Sequence, residues 1–216
     1  MSDIARKQDQ VRAVLRLAPV VAVVVVQDVR SAVSLARALC EGGIRAIEIT
    51  LRTPVAMDAI AAIAQEVDGA VVGAGTVRTV QDLRGCAERG GRFAVSPGHT
   101  LNLLDAADDC AMPYLPGAVT ASEAMKLAER GYFVQKFFPA VAAGGIDYLR
   151  SLAGPLPDVT FCATGGVSAA TTPDWLALPN LLAVGGSWLT PSKLIEAGDW
   201  AAITALARTA AQLRAS

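Results

Sequence analysis

Leu17–Val26 reads LAPVVAVVVV, and Gln27, Asp28 and Arg30 follow within four residues. A helix that crosses a bilayer needs about 20 apolar residues, so this run is too short to span. It has the length of a leader's apolar segment, but no small-x-small cleavage site stands between it and the polar residues. Its valines are β-branched and unbroken by polar positions. That is the pattern of a strand buried on both faces, which belongs to a parallel sheet covered by helices. Working outward, Val29–Glu41 places Val33, Ala36, Leu39 and Cys40 at helical spacing and stops at Gly42-Gly43. A second apolar run, Ala46–Leu51, comes next. Strand, helix, strand is the repeating unit.

The unit recurs along the chain. The strands expected are Val20–Val26, Ala46–Leu51, Val71–Thr76, Phe93–Ser96, Tyr114–Pro116, Val134–Phe138, Thr160–Ala163 and Leu181–Val184. Spreading 216 residues over eight units leaves 27 for each, enough for strand, loop, helix and loop. Helix signals fall between the strands. Pro54 suits the first turn of a helix reaching Val67, Thr120-Ala-Ser-Glu123 forms a capping box, and Thr172-Pro173 marks another start. Asp199–Leu213 is read as the most clearly amphipathic helix, closing the outer ring. Eight alternating units predict an α/β fold, a compact (β/α)8 TIM barrel of eight parallel strands. It is expected to fill residues 1–216 as one domain, with a helical segment at 1–18 packed on the barrel. An open dinucleotide-binding sheet would want G-x-G-x-x-G. Gly73-Ala-Gly75 begins that pattern, but Arg78 stands where the third glycine belongs.

Composition narrows the functions. Hydrophobic residues make up 53% and charged residues 18%, which excludes a disordered chain. A net charge of −1 without any Lys/Arg run gives no footprint for nucleic acid or an anionic membrane. Cys40, Cys86, Cys110 and Cys162 form no C-x-x-C pair and read as reduced, buried thiols of a cytoplasmic protein. His99 is the one histidine, so no His-rich metal site is expected.

In such a barrel, chemistry sits where the strands end. The sixth expected strand carries Lys136 between Gln135 and Phe137, with Phe133 and Phe138 close by; alternation puts Val134, Lys136 and Phe138 on one face. If that face is the interior, burial favours a lysine's neutral amine, the form that attacks a ketone. The plain alternative is a lysine that snorkels outward or pairs with a carboxylate. The second strand puts Glu48, Thr50 and Arg52 on one face. A carboxylate among isoleucines needs a partner, and either Lys136 or Arg52 would serve. A catalytic reading makes Glu48 the proton shuttle and gives Arg52 a substrate carboxylate. Thr76 either binds that carboxylate or caps a helix. Gly165-Gly166 and Gly186-Ser187 follow the seventh and eighth strands, the recurring position of a barrel phosphate site. Pro97 is a rigid turn that can line a pocket, and His99 beyond it reads as a rim residue, not a base.

These pieces resemble the bacterial 2-keto-3-deoxy-6-phosphogluconate (KDPG) aldolases, also described as 4-hydroxy-2-oxoglutarate (KHG) aldolases, from Pro19 to about Ala205. The resemblance rests on Glu48-Ile-Thr-Leu-Arg-Thr53, Val72-Gly-Ala-Gly-Thr76, Ser96-Pro-Gly98, Lys136-Phe-Phe-Pro-Ala140, Thr164-Gly-Gly166 and Gly185-Gly-Ser-Trp188. It implies a class I aldolase with Lys136 as Schiff-base lysine and Glu48 as acid/base. It further implies that Arg52 and Thr76 bind the pyruvoyl carboxylate, and that Pro97 and Phe138 pack on the pyruvate moiety. Thr164 would influence which aldehyde face reacts, while Gly165, Gly166, Gly186 and Ser187 would receive phosphate. No metal or organic cofactor is implied, the partner is a small phosphorylated keto acid, and the assembly is a homotrimer. The chain departs from the family pattern at Ala22 and Ala163, where proline is common, and at His99, where leucine is usual. Ala163 and His99 are expected near the mouth, which leaves the aldehyde preference open. The rivals are a galactonate-epimer aldolase, a preference for unphosphorylated keto acid, a metal-dependent aldolase, and a non-catalytic sugar-phosphate-binding barrel.

Overall fold

A computed structural model describes residues 3–213. Strands and helices alternate in the order α1 Asp3–Leu15, β1 Val20–Val24, α2 Val29–Glu41, β2 Ala46–Thr50, α3 Ala56–Glu66, β3 Val71–Gly75, α4 Val80–Glu88, β4 Ala94–Val95 and α5 Leu101–Asp109. There follow β5 Tyr114–Leu115, β6 Gly117–Ala118, α6 Ala121–Glu129, β7 Val134–Phe137, α7 Gly145–Leu152, β8 Thr160–Thr164, α8 Thr172–Leu176, β9 Leu181–Gly186, α9 Ser192–Ala197 and α10 Trp200–Ala211. All pairings are parallel, in the order β5-β4-β3-β2-β1-β9-β8-β7-β6.

The two ends of that order are the same stretch of chain. β5 pairs with β4 and β6 with β7, and only Pro116 separates them. Proline has no N–H for a ladder, so it divides the strand. Its carbonyl still accepts from Lys136 N at 2.8 Å, across the seam. The sheet is therefore closed, and the fifth strand expected at Tyr114–Pro116 continues past the proline to Ala118.

The continuous apolar strands are explained by two cores. Val20, Ala22, Val24, Ile47, Ile49, Val72, Ala74, Phe161 and Ala163 pack outward under the helices. Their neighbours Val21, Ala46, Phe93, Val95, Leu115, Val134, Cys162 and Ala183 form a second cluster inside the barrel. Helix α1 stops the end where the strands begin. Its Val11 and Leu15 join the inner cluster. Gln8 donates to Tyr114 O at 3.2 Å and accepts from Val134 N at 2.7 Å. Buried Lys7 donates to the carbonyls of Ala107, Asp108 and Cys110 at 2.8–2.9 Å, filling the acceptors that α5 leaves at its C-terminus. α1 thus covers the end of the barrel where the strands begin.

Local signals behave as their chemistry requires. Thr120 and Glu123 form the reciprocal capping box of α6, and Gly43 at φ 93 follows the α2 stop. Pro54 lies outside α3, whose N-cap is Val55, so the proline precedes the helix instead of entering its first turn. Asp199 caps α10 through Ala202 N at 3.0 Å, and the helix lies on α2 through Ile203 and Ala207, with Thr204 Oγ1 donating to Ala38 O at 3.1 Å. Alanines blur its faces, and α2 and α7 separate polar from apolar more sharply. Among the described residues, no helix is long and apolar enough to cross a membrane.

Candidate active site

Two charged side chains share the lumen. Lys136 on β7 is 5% exposed and Glu48 on β2 is 3% exposed. Lys136 Nζ donates to Glu48 Oε1 at 3.0 Å. Of the two partners open to Glu48, the lysine is the one it takes. Arg52 lies beyond the strand, exposed, and forms no ion pair among the described residues. The carboxylate fits because β3 gives way to it. A Cβ on Gly75 would lie 2.2 Å from Glu48 Oε1. Phe138 follows β7, its ring centroid 5.6 Å from Lys136 Nζ, a cation–π distance.

Arg52 turns instead to the end of β3, where its Nε donates to Thr76 Oγ1 at 3.3 Å. Thr76 has φ 60, the sole left-handed non-glycine among the described residues. A β-branched residue there is strained, and such strain gathers at functional sites. Capping is not its role, since α4 is capped by Thr79. Thr50 is also internal to the chain's own needs, its Oγ1 donating to Val24 O at 2.9 Å at the end of β1.

Pro97 follows β4, where alternation from the lumen-facing Phe93 and Val95 brings it to the inner side. Ser96 is buried and points the other way, hydrogen-bonded to Tyr114 OH at 2.6 Å and to Gly98 O. His99 is half-buried, with Nδ1 2.8 Å from Gly117 O.

The glycine turns stand side by side. β8 ends at Thr164, opposite Gly185 on β9. Gly165 and Gly166 continue at φ 104 and 82, and Gly186 closes β9 just before Ser187. The carbonyls of Thr164 and Gly165 accept from Ala140 N and Val141 N at 2.8 and 3.0 Å. Among the described residues, none accepts from the N–H of Gly165, Gly166 or Ser187. Thr164 is buried, and apart from the neighbouring Cys162 thiol, a weak partner, its Oγ1 meets no hydrogen-bonding group among them. A buried hydroxyl without a partner costs about 1–3 kcal/mol until something meets it.

One lumen residue escaped the sequence reading. Cys162 is the register partner of Lys136 and lies in the inner cluster. Burial pushes its thiol up to about 12; Lys136 draws it down and Glu48 pushes it back. Burial thus favours the protonated thiol, its less nucleophilic form. The available signal was its place two residues before Thr164, on the same strand face. Cys86 is buried as expected, while Cys40 and Cys110 are only half-buried; all four are free. Ala163 lies one residue before the end of β8. It packs outward under the helices, so its side chain does not line the mouth.

Imine formation needs an amine beside a proton acceptor in a dry cleft, and this lumen offers both. The class it fits is the β/α barrels that work through a lysine. Known proteins narrow that class. The family described as KDPG and KHG aldolase matches residues 11–206. The chain belongs to the KDPG and KHG aldolase family. The KHG/KDPG aldolase of Escherichia coli (strain K12) is 50% identical over 200 residues, which cover 93% of this chain and 94% of that protein. A 2-dehydro-3-deoxy-phosphogluconate aldolase of Pseudoalteromonas atlantica is 48% identical, covering 89% of each. A crystal structure of the Legionella pneumophila KDPG aldolase, with pyruvate captured at low pH as a covalent carbinolamine, superposes with a TM-score of 0.91 at 41% identity. That match covers 93% of this chain and 98% of the other.

Proposed function

We propose that this chain is a class I aldolase that reversibly cleaves 2-keto-3-deoxy-6-phosphogluconate to pyruvate and glyceraldehyde 3-phosphate, and also cleaves 4-hydroxy-2-oxoglutarate to pyruvate and glyoxylate. The buried Lys136–Glu48 pair at 3.0 Å carries the reading. A sugar-phosphate-binding barrel without catalysis has no use for it.

Lys136 gives a proton to Glu48, and its amine adds to the C2 ketone. Glu48 returns that proton to the departing C2 hydroxyl, and loss of water leaves a protonated imine. Glu48 takes the C4 hydroxyl proton, the C3–C4 bond breaks, and its electron pair moves into the imine to give an enamine and the aldehyde. A proton returned from Glu48 to C3 restores the imine, and water releases pyruvate and Lys136. Arg52 and Thr76 hold the carboxylate, the guanidinium fork being suited to it. Pro97 and Phe138 pack against the pyruvate unit. Thr164 Oγ1, with no protein partner stronger than the Cys162 thiol, meets an oxygen on the aldehyde half. The N–H groups around Gly165, Gly166, Gly186 and Ser187 receive phosphate. The whole chain, 1–216, acts as one barrel domain, in the cytoplasm and as a homotrimer. Four free cysteines support a reducing compartment.

Borohydride added with pyruvate is expected to fix one pyruvyl group, which peptide mass mapping places on Lys136. A label on Lys126 or Lys193, or none, overturns the assignment. Substrate class has a separate test. At Gly166, φ 82 already disfavours valine, and an added Cβ would lie 2.8 Å from Val141 Cβ. Gly166→Val is therefore expected to raise KM for the phosphorylated substrate far more than for 4-hydroxy-2-oxoglutarate, which has no phosphate to place. Equal losses on both, with the circular dichroism spectrum unchanged, put the phosphate elsewhere.

A further inference from the structure

We propose that His99 is a positioning residue: through Nδ1–H it clamps the loop carrying Pro97 onto β6, and so sets how tightly the pocket beside Lys136 closes on pyruvate. This rests on the Schiff-base reading above.

The geometry is a two-point clamp. A carbonyl only accepts, so the 2.8 Å contact to Gly117 O fixes the proton on His99 Nδ1. On the other side of Pro97, Ser96 Oγ is tied to Tyr114 OH at 2.6 Å and to Gly98 O. Tyr114 and Gly117 bracket Pro116, so both ties end on the one stretch that forms β5 and β6. The loop lies directly on it. A Cβ on Gly117 would come within 2.3 Å of Pro97 O and 2.6 Å of Gly98 N, so the backbone contact exists because residue 117 is glycine. Gly117 is also the register partner of Lys136, whose N–H binds the neighbouring Pro116 O at 2.8 Å. The loop wall and the lysine thus share one short piece of backbone, and His99 fastens the wall to it.

Asparagine carries its side-chain N–H₂ the same number of bonds from Cα as His99 Nδ1, glutamine one bond further, and leucine none. In the condensation direction, His99→Leu and His99→Gln are expected to raise KM for pyruvate about five- to tenfold, the worth of one ordinary hydrogen bond. Their kcat should stay within about twofold, and borohydride trapping at saturating pyruvate should remain complete. His99→Asn should restore the wild-type KM. The neutral ring in the wild type should show the Nδ1–H tautomer in its 15N spectrum. An unchanged KM in His99→Leu, an Asn variant as impaired as Leu, a loss in kcat instead of KM, or an Nε2–H tautomer overturns the clamp. Absence of trapping on Lys136 in the wild type overturns the Schiff-base reading itself, a different result from any of these.

Discussion

Lys136→Ala is expected to reduce cleavage of 2-keto-3-deoxy-6-phosphogluconate to the uncatalysed background, measured as pyruvate released. Enzymes commonly accelerate their reactions by about 10⁶-fold or more, and without the amine there is no imine to accept the electron pair of the breaking bond. Borohydride trapping should vanish with it. No neighbour can take over. The Cys162 thiol is held protonated by burial, and Arg52 lies past the strand end with a guanidinium that cannot be deprotonated. Activity retained within about tenfold of wild type sinks the mechanism.

The same substitution has a structural effect that must be kept apart. It strands Glu48, 3% exposed, without its 3.0 Å partner. Breaking a buried pair on one side costs roughly 3–5 kcal/mol, whereas removing both charges with volume kept can be nearly neutral. The Glu48→Gln/Lys136→Met double variant should therefore be more stable than Lys136→Ala by urea denaturation, yet equally inactive. If the pair served only to hold the fold, the stable double variant would keep its activity; none is expected.

Much of the fold is legible in the sequence because parallel strands buried on both faces leave an unbroken apolar signature. Val20–Val24 lies where the LAPVVAVVVV run places it, and α2 begins and ends at the expected residues. The signals that misled were local ones overruled by geometry. Pro54 is compatible with a first helical turn, but α3 starts two residues later. Pro116 reads as the end of a strand, but it is a gap inside one that also closes the barrel. For the site, alternation places Glu48 and Lys136 on particular faces, but it does not choose between Arg52 and Lys136 as the partner of Glu48. That choice depends on the barrel closing two strands 88 residues apart in sequence. Thr76 shows the same limit. Its left-handed φ has no periodic signature, since any residue preference there runs against threonine. Cys162 meets Lys136 only through strand register. The outward face of Ala163 follows from the alternation that puts Cys162 and Thr164 inside, a step open to the sequence once the lumen face of β8 is known.

Glu48→Gln is expected to separate imine formation from the proton steps that follow. The amide keeps the size of the carboxyl group, so it fits the space that Gly75 leaves, and its oxygen can still accept from Lys136 at the observed 3.0 Å. It cannot take up a proton. Pyruvate should still be trapped on Lys136 by borohydride, though more slowly, because water and bulk base can remove the amine's proton. Exchange of the pyruvate methyl hydrogens with deuterated solvent needs a group that repeatedly removes and returns a proton at C3, and this should fall by about 10²–10⁴-fold, the usual contribution of a general acid–base group. Cleavage should fall by a similar factor, since the same carboxylate takes the C4 hydroxyl proton. The ratio of trapping to exchange is therefore the quantity to follow. If exchange in Glu48→Gln runs at the wild-type rate while the fold is intact, Glu48 has no part in proton transfer, and its contact with Lys136 is a buried ion pair that holds the lumen together.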